Sequence, residues 1–110
     1  MPDKELLMYS RSYGCPFVTI AKRVLDDYEI PYREFYIDKD DVAKERVLNW
    51  TGFLSVPTLI IANIGEDVPY TEFTPLPEGE SPRGIDRGPM LTEGSTEQVT
   101  EWLDKHGFIS

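Results

Sequence analysis

The chain contains one cysteine, Cys15, preceded by Gly14 and followed by Pro16. Proline is tolerated in the first turn of a helix, and an apolar helical repeat starts just beyond it, so Cys15 lies where a loop becomes a helix. A thiolate there is stabilised by the unpaired amides of the helix start and by the positive end of the macrodipole. Arg11 can add a positive charge. The competing reading is a buried structural cysteine, since free thiols are among the most buried side chains; the position at a helix start favours the reactive one. Pro57 is the second residue of interest, because it directly precedes a buried run. A trans proline opening a strand is the ordinary arrangement, whereas a cis bond beside Cys15 would leave the Val56 backbone amide and carbonyl to pair with an extended thiol peptide.

Much other chemistry lacks its equipment. One Cys excludes an internal disulfide, and one Cys with one His, His106, cannot build a structural zinc site from this chain alone. There is no Gly-x-Ser-x-Gly, no His-Glu-x-x-His and no Gly-x-x-x-x-Gly-Lys. The 110 residues carry 11 Lys and Arg against 20 Asp and Glu, a net charge of −9. That balance argues against nucleic acid, whose phosphates need clustered cations. No apolar run approaches the ~20 residues of a membrane span, and the stretch Met1-Pro2-Asp3-Lys4-Glu5 lacks the basic and then apolar character of a signal peptide. A cytoplasmic location is the expectation.

The elements that must position Cys15 and Pro57 follow from periodicity. Glu5 to Tyr9, with the apolar run Leu6 to Tyr9, reads as a buried strand running into the turn Ser10-Arg11-Ser12-Tyr13-Gly14. Phe17, Ile20, Ala21, Val24, Leu25 and Tyr28 give the strongest amphipathic helix, ended by Glu29-Ile30-Pro31. Tyr32 to Ile37 reads as a strand, and the crossover length favours a parallel, right-handed βαβ unit. Asp38 to Asp41 offers an acidic cap for a second helix bearing Ala43, Val47, Leu48 and Trp50 and closed by Gly52. Thr58 to Ala62 reads as a central strand. From Asn63 to Leu91 the chain is rich in proline and glycine, a long surface excursion with a possible strand around Gly88 to Leu91 or Val68 to Thr71. Ser95 to Gln98 matches a capping box ahead of Val99, Trp102 and Leu103, with Gly107 as the stop.

Together these residues resemble the glutaredoxin family, of the thioredoxin fold. The match runs through Leu7-Met8-Tyr9-Ser10, then Cys15-Pro16-Phe17-Val18 where the family has Cys-Pro-Tyr-Cys, then Trp50-Thr51-Gly52-Phe53-Leu54-Ser55-Val56-Pro57 where it has Thr-Gly-x-x-Ser/Thr-Val-Pro. The resemblance implies an α/β, thioredoxin-like fold: a central mixed sheet flanked by helices, in the order βαβ, α, β, long loop with a possible edge strand, α. It also implies that Pro57 is cis and that Val56 binds the cysteinyl part of glutathione. We expect one domain over 1–110, with a proline-rich insertion at about 63–91.

Three departures shape the expected chemistry. Val18 replaces the second cysteine, leaving a monothiol route in which Cys15 attacks a glutathionylated substrate and a second glutathione releases it. The family's lysine three residues before the nucleophile is Ser12 here, and the cation is Arg11. The family's Gly-Gly-x-Asp, which holds the γ-glutamyl end of glutathione, is replaced by Gly94-Ser95-Thr96-Glu97. The amides of Ser95 and Thr96 are a candidate carboxylate site, or Ser95 merely caps the last helix. Tyr13 either packs on bound tripeptide or covers the surface. Trp50 and Trp102 read as core, His106 as a partly positive group at a helix C-terminus, and Arg83 and Arg87, the basic pair of the excursion, as solvated cations, with recognition of an acidic partner as the alternative.

The expected function is therefore thiol–disulfide exchange through Cys15 on glutathione mixed disulfides, with small thiols or thiol-bearing proteins as partners, a monomeric state and no tightly bound cofactor. A [2Fe–2S] carrier shared between two chains is the alternative, weakened by Pro16 because cluster-carrying members have glycine there. A degenerate interaction domain working through the 63–91 excursion is a third.

Overall fold

The computed structural model describes residues 3–109, so Met1 and Pro2 of the N-terminal stretch lie outside the described residues. In chain order the elements are β1 (Lys4–Ser10), α1 (Pro16–Asp27), β2 (Tyr32–Tyr36), α2 (Asp41–Thr51), β3 (Thr58–Asn63), β4 (Met90–Thr92) and α3 (Thr96–Lys105). The sheet order is β2-β1-β3-β4; β1 and β2 are parallel, and the other two pairings are antiparallel. Leu6, Leu7, Met8 and Tyr9 of β1 and Ile60, Ile61 and Ala62 of β3 are fully buried. Continuous apolar runs of this kind suit strands covered on both faces. The core they form includes Val18, Ala21 and Leu25 of α1 and Val99, Trp102 and Leu103 of α3.

α1 begins as expected, with Cys15 as an extended N-cap and Pro16 in the first turn. Its buried face is Val18, Ala21, Val24 and Leu25, not the wider stripe read from the sequence. Tyr28 is 48% exposed, and Phe17 and Ile20 are half-buried flanks. The step of 100° per residue centres the sheet-facing stripe on Val18 and Ala21, which pushes those aromatic and aliphatic neighbours to its rim. On α2 the Asp40 side chain accepts from the amides of Val42 (3.0 Å) and Ala43 (3.2 Å). Gly52 closes α2 in the left-handed region at φ 78°, donating to Leu48 O. Leu48, read as core, is exposed, and Thr51 takes the buried place one turn beyond Val47.

The excursion is tied down at both ends. β4 lies at Met90–Thr92, beside the Gly88 to Leu91 alternative; Val68 to Thr71 forms no strand among the described residues and gives only the bond from Tyr70 N to Ile61 O at 2.9 Å. Arg87, expected in solvent, is 2% exposed. Its guanidinium donates to Thr74 O and Trp50 O, both at 2.8 Å, and lies 4.9 Å from the Phe73 ring centroid. It makes no ion pair among the described residues. The carbonyls of the last α2 turn carry the negative end of that helix and serve as its counter-charge. Burial pulls the Arg87 pKa below its ordinary value. No described helix is long and apolar enough to cross a membrane.

Candidate active site

Cys15 is held at the junction of β1 and α1, half-buried against the core. Its backbone is extended (φ −148°, ψ 123°) and its carbonyl accepts from Thr19 N at 3.1 Å, the first turn of α1. The thiol donates to Val56 O at 3.6 Å, so the sulfur faces the Val56–Pro57 segment, whose peptide bond is cis. Because Cys15 caps α1 without a side-chain bond to its amides, the helix start adds its dipole to the thiol's surroundings.

The residues around Pro57 show what the Thr-Gly-x-x-Ser-Val-Pro spacing does physically. The buried Thr51 hydroxyl lies 2.9 Å from Val47 O and 2.7 Å from Phe53 O, and it accepts from Phe53 N at 3.1 Å. This folds the chain tightly out of α2. Thr58 Oγ1 donates to Ser55 O at 3.0 Å and meets Thr92 Oγ1 at 3.1 Å, while Glu93 N donates to Pro57 O at 2.9 Å. Both ends of the proline segment are thus pinned to the sheet.

The turn before Cys15 and the start of α2 enclose a cavity of about 220 Å³ lined by Arg11, Tyr13, Ile37, Asp38, Lys44 and Leu54. The Arg11 guanidinium stacks 4.8 Å over the Tyr13 ring, and its buried Nε has no partner among the described residues. The turn is fastened by Ser12, whose amide donates to Asp38 Oδ1 at 3.0 Å and whose hydroxyl also bonds that carboxylate. The Ser12 hydroxyl is the main reason that Asp38 titrates below its ordinary value. Two cations from separate elements therefore share one cavity whose acid is already engaged.

Lys44 went unread in the sequence, where an exposed lysine on a weakly amphipathic helix looks like any solvated side chain. Arg11 and Tyr13 do come together, as do Cys15, Val56 and Pro57. Ser95 departs from the expectation of an anion site. Its amide donates to Gln98 Oε1 at 2.8 Å and its hydroxyl accepts from Gln98 N at 3.2 Å, so the capping box consumes the amide expected for a carboxylate. Thr96, the first residue of α3, is the one whose amide that box does not use. Among the described residues no group of three or more His, Cys, Asp or Glu is placed to hold a metal ion.

A cysteine at the N-cap of a helix, its thiol against the proline segment of a four-stranded β2-β1-β3-β4 sheet, defines a thioredoxin-like fold class. The glutaredoxin family model matches residues 6–64, just over half of the 110 residues, and the chain belongs to the glutaredoxin family. No curated protein matches it significantly. Among solved structures, a buckwheat glutaredoxin–glutathione complex shares the fold at a TM-score of 0.50 and 18% identity, covering 96% of this chain and 73% of that one. A thioredoxin-like protein matches at a TM-score of 0.45 and 29% identity over 62% of this chain and 88% of that one. The holo form of a glutaredoxin from Populus tremula x tremuloides matches at 0.46 and 15%, over 94% and 76%. Family and fold support a thiol–disulfide oxidoreductase role.

Proposed function

We propose that the protein exchanges disulfides by a monothiol mechanism through Cys15, with glutathione as co-substrate. The observation that carries this reading is the lone thiol at the α1 start, directed at Val56 O, with the buried aliphatic Val18 three residues on. The Cys15 thiolate attacks the glutathione sulfur of a mixed disulfide. The new S–S bond joins Cys15 to glutathione, and the former partner leaves as a thiolate with the bonding pair. A second glutathione then attacks the adduct, restores Cys15 and departs as glutathione disulfide.

The Arg11 and Lys44 cavity supplies the binding energy for a carboxylate of the tripeptide, and Tyr13 is placed to cover it. A buckwheat relative is described as a glutathione complex, which supports the choice of thiol. Incubation with glutathione disulfide followed by intact-mass measurement tests the reading. One glutathione adduct on wild type, lost in Cys15→Ser together with reductase activity, is expected. A Cys15→Ser chain that retains full reductase activity would sink it. The variant should unfold within about 1 kcal/mol of wild type, because the thiol makes one weak, half-buried contact.

A further inference from the structure

Outside the cavity lined by Arg11 and Lys44, the excursion contributes a third cation. Gly84 N donates to Thr92 O at 2.8 Å, and Arg83 forms a parallel bridge with Thr92, so Pro82 to Gly84 runs along the outer edge of β4. Arg83 then reaches across to α1. Its guanidinium lies 5.0 Å from the ring centroid of Phe17, two residues beyond Cys15. Arg83 Nε and Nη2 both meet Glu93 Oε2, at 2.9 and 2.8 Å. Glu93 is the residue whose amide is bonded to Pro57 O. A single side chain from the insertion thus touches both walls of the thiol site: the first turn of α1 and the anchor of the proline.

The pair is electrically lopsided. The Glu93 side chain is 13% exposed and Arg83 61%, so the acid is inside and the cation outside. Glu93 and Phe17 fix the guanidinium plane, while Nη1 has no partner among the described residues. A planar, oriented guanidinium with an outward N–H edge suits a carboxylate.

We infer that Arg83 is a specificity-determining residue for the exchange reaction, selecting disulfides that carry an anionic group on the α1 and β4 side of Cys15. The inference rests on the thiol–disulfide reading above and adds to it a discrimination between substrates of different charge. In the exchange step the Cys15 thiolate attacks one sulfur of R–S–S–R, a Cys15–S–S–R bond forms, and R–S⁻ leaves with the electron pair. Arg83 takes no part in that transfer of electrons. It acts on where R sits.

The test is the single-turnover rate of reduced protein with three symmetrical disulfides: anionic 3,3′-dithiodipropionate, neutral bis(2-hydroxyethyl) disulfide and cationic cystamine. In wild type the anionic disulfide should react faster than the cationic one. Arg83→Gln should lower the anionic-to-neutral rate ratio by about three- to fivefold at low ionic strength, the size of a partly exposed charge contact. Arg83→Lys should restore most of that ratio, and Arg83→Glu should invert the anionic-to-cationic preference. Equal slowing of all three disulfides in Arg83→Gln would make the residue a structural brace and overturn the inference while leaving the exchange reaction intact. Unaltered ratios in every variant would overturn it equally. Failure of wild type to attack any of the three would remove the exchange reading itself, and the inference with it.

Discussion

At the scale of single residues, the thiol and the charges beside it act on different parts of the reaction. Cys15 breaks and makes the bond, whereas Arg11 and Lys44 touch only the cavity beside it. A cation that binds ground state and transition state alike changes KM and leaves kcat nearly alone. Lys44→Gln should therefore raise KM for a glutathione mixed disulfide about three- to tenfold, with kcat within about twofold of wild type. Steady-state kinetics at two ionic strengths check this. A fall in kcat at constant KM would mean that Lys44 does not hold substrate in the ground state. Lys44 is solvent-exposed and makes no ion pair among the described residues, so its replacement leaves the packing untouched.

At the scale of elements, the excursion is clipped to the sheet by one buried cation and one glycine. Arg87 bridges Thr74 O and Trp50 O, joining the segment after β3 to the end of α2. Removing it leaves two carbonyls unpaired and a hole beside Phe73. Arg87→Ala should cost about 2–4 kcal/mol in urea unfolding. Arg87→Lys should recover little of this, because an ammonium cannot span two carbonyls in a plane or stack on a ring. A change below about 0.5 kcal/mol in Arg87→Ala would show that the clasp is idle. Gly84 sits at φ +73°, and a Cβ there would lie 2.7 Å from Gln98 Nε2, the side chain already committed to the Ser95 cap. Gly84→Ala should therefore destabilise by about 1–3 kcal/mol through backbone strain and crowding of that cap. Thermal denaturation of this variant beside Ser95→Ala would show whether the two losses share the cap.

At the scale of the whole molecule, stability falls with acid in two separate windows. His106, which the sequence suggested as a positive group, is held below its ordinary pKa, chiefly by burial; Asp86 opposes the shift and Lys105 adds to it. Its Nε2 is buried without a partner among the described residues. The fold therefore favours the neutral ring. That contribution is complete above the unfolded value of about 6.5 and is lost as pH falls below it toward the folded value. Glu5 and Glu34 act in a lower window. Arg33 and then the Gly65 amide depress Glu5; burial works to raise Glu34, but the bonds from Ser10, Lys22 and Tyr36 outweigh it. Their contribution is present above about 4.5 and lost as pH drops through their folded values. Between pH 8 and 5.5, the urea midpoint of wild type should fall and that of His106→Gln should hold nearly level. Parallel falls in the two proteins would assign the upper window to another group.

Much of this architecture was legible from local pattern alone. Strand and helix order, Pro16 at the start of α1, Asp40 and Gly52 at the ends of α2 and the Ser95–Gln98 capping box are set by side chains acting on backbone within a few residues, so the sequence by itself determined them. The meeting of Cys15 with the Val56–Pro57 segment, 41 residues along the chain, was expected only from the family resemblance, and it is made by the closing of the sheet and helices. What only the tertiary structure decided is where long side chains from distant segments end up. Arg83 and Arg87 read alike along the chain, yet one rests outside on Phe17 and Glu93 and the other is buried beneath Thr74 and Trp50. Lys44 joins Arg11 only because the end of the β1 turn and the start of α2 meet across a cavity. Contacts between residues far apart in sequence depend on how the sheet and helices close together, and no periodicity within one element encodes that.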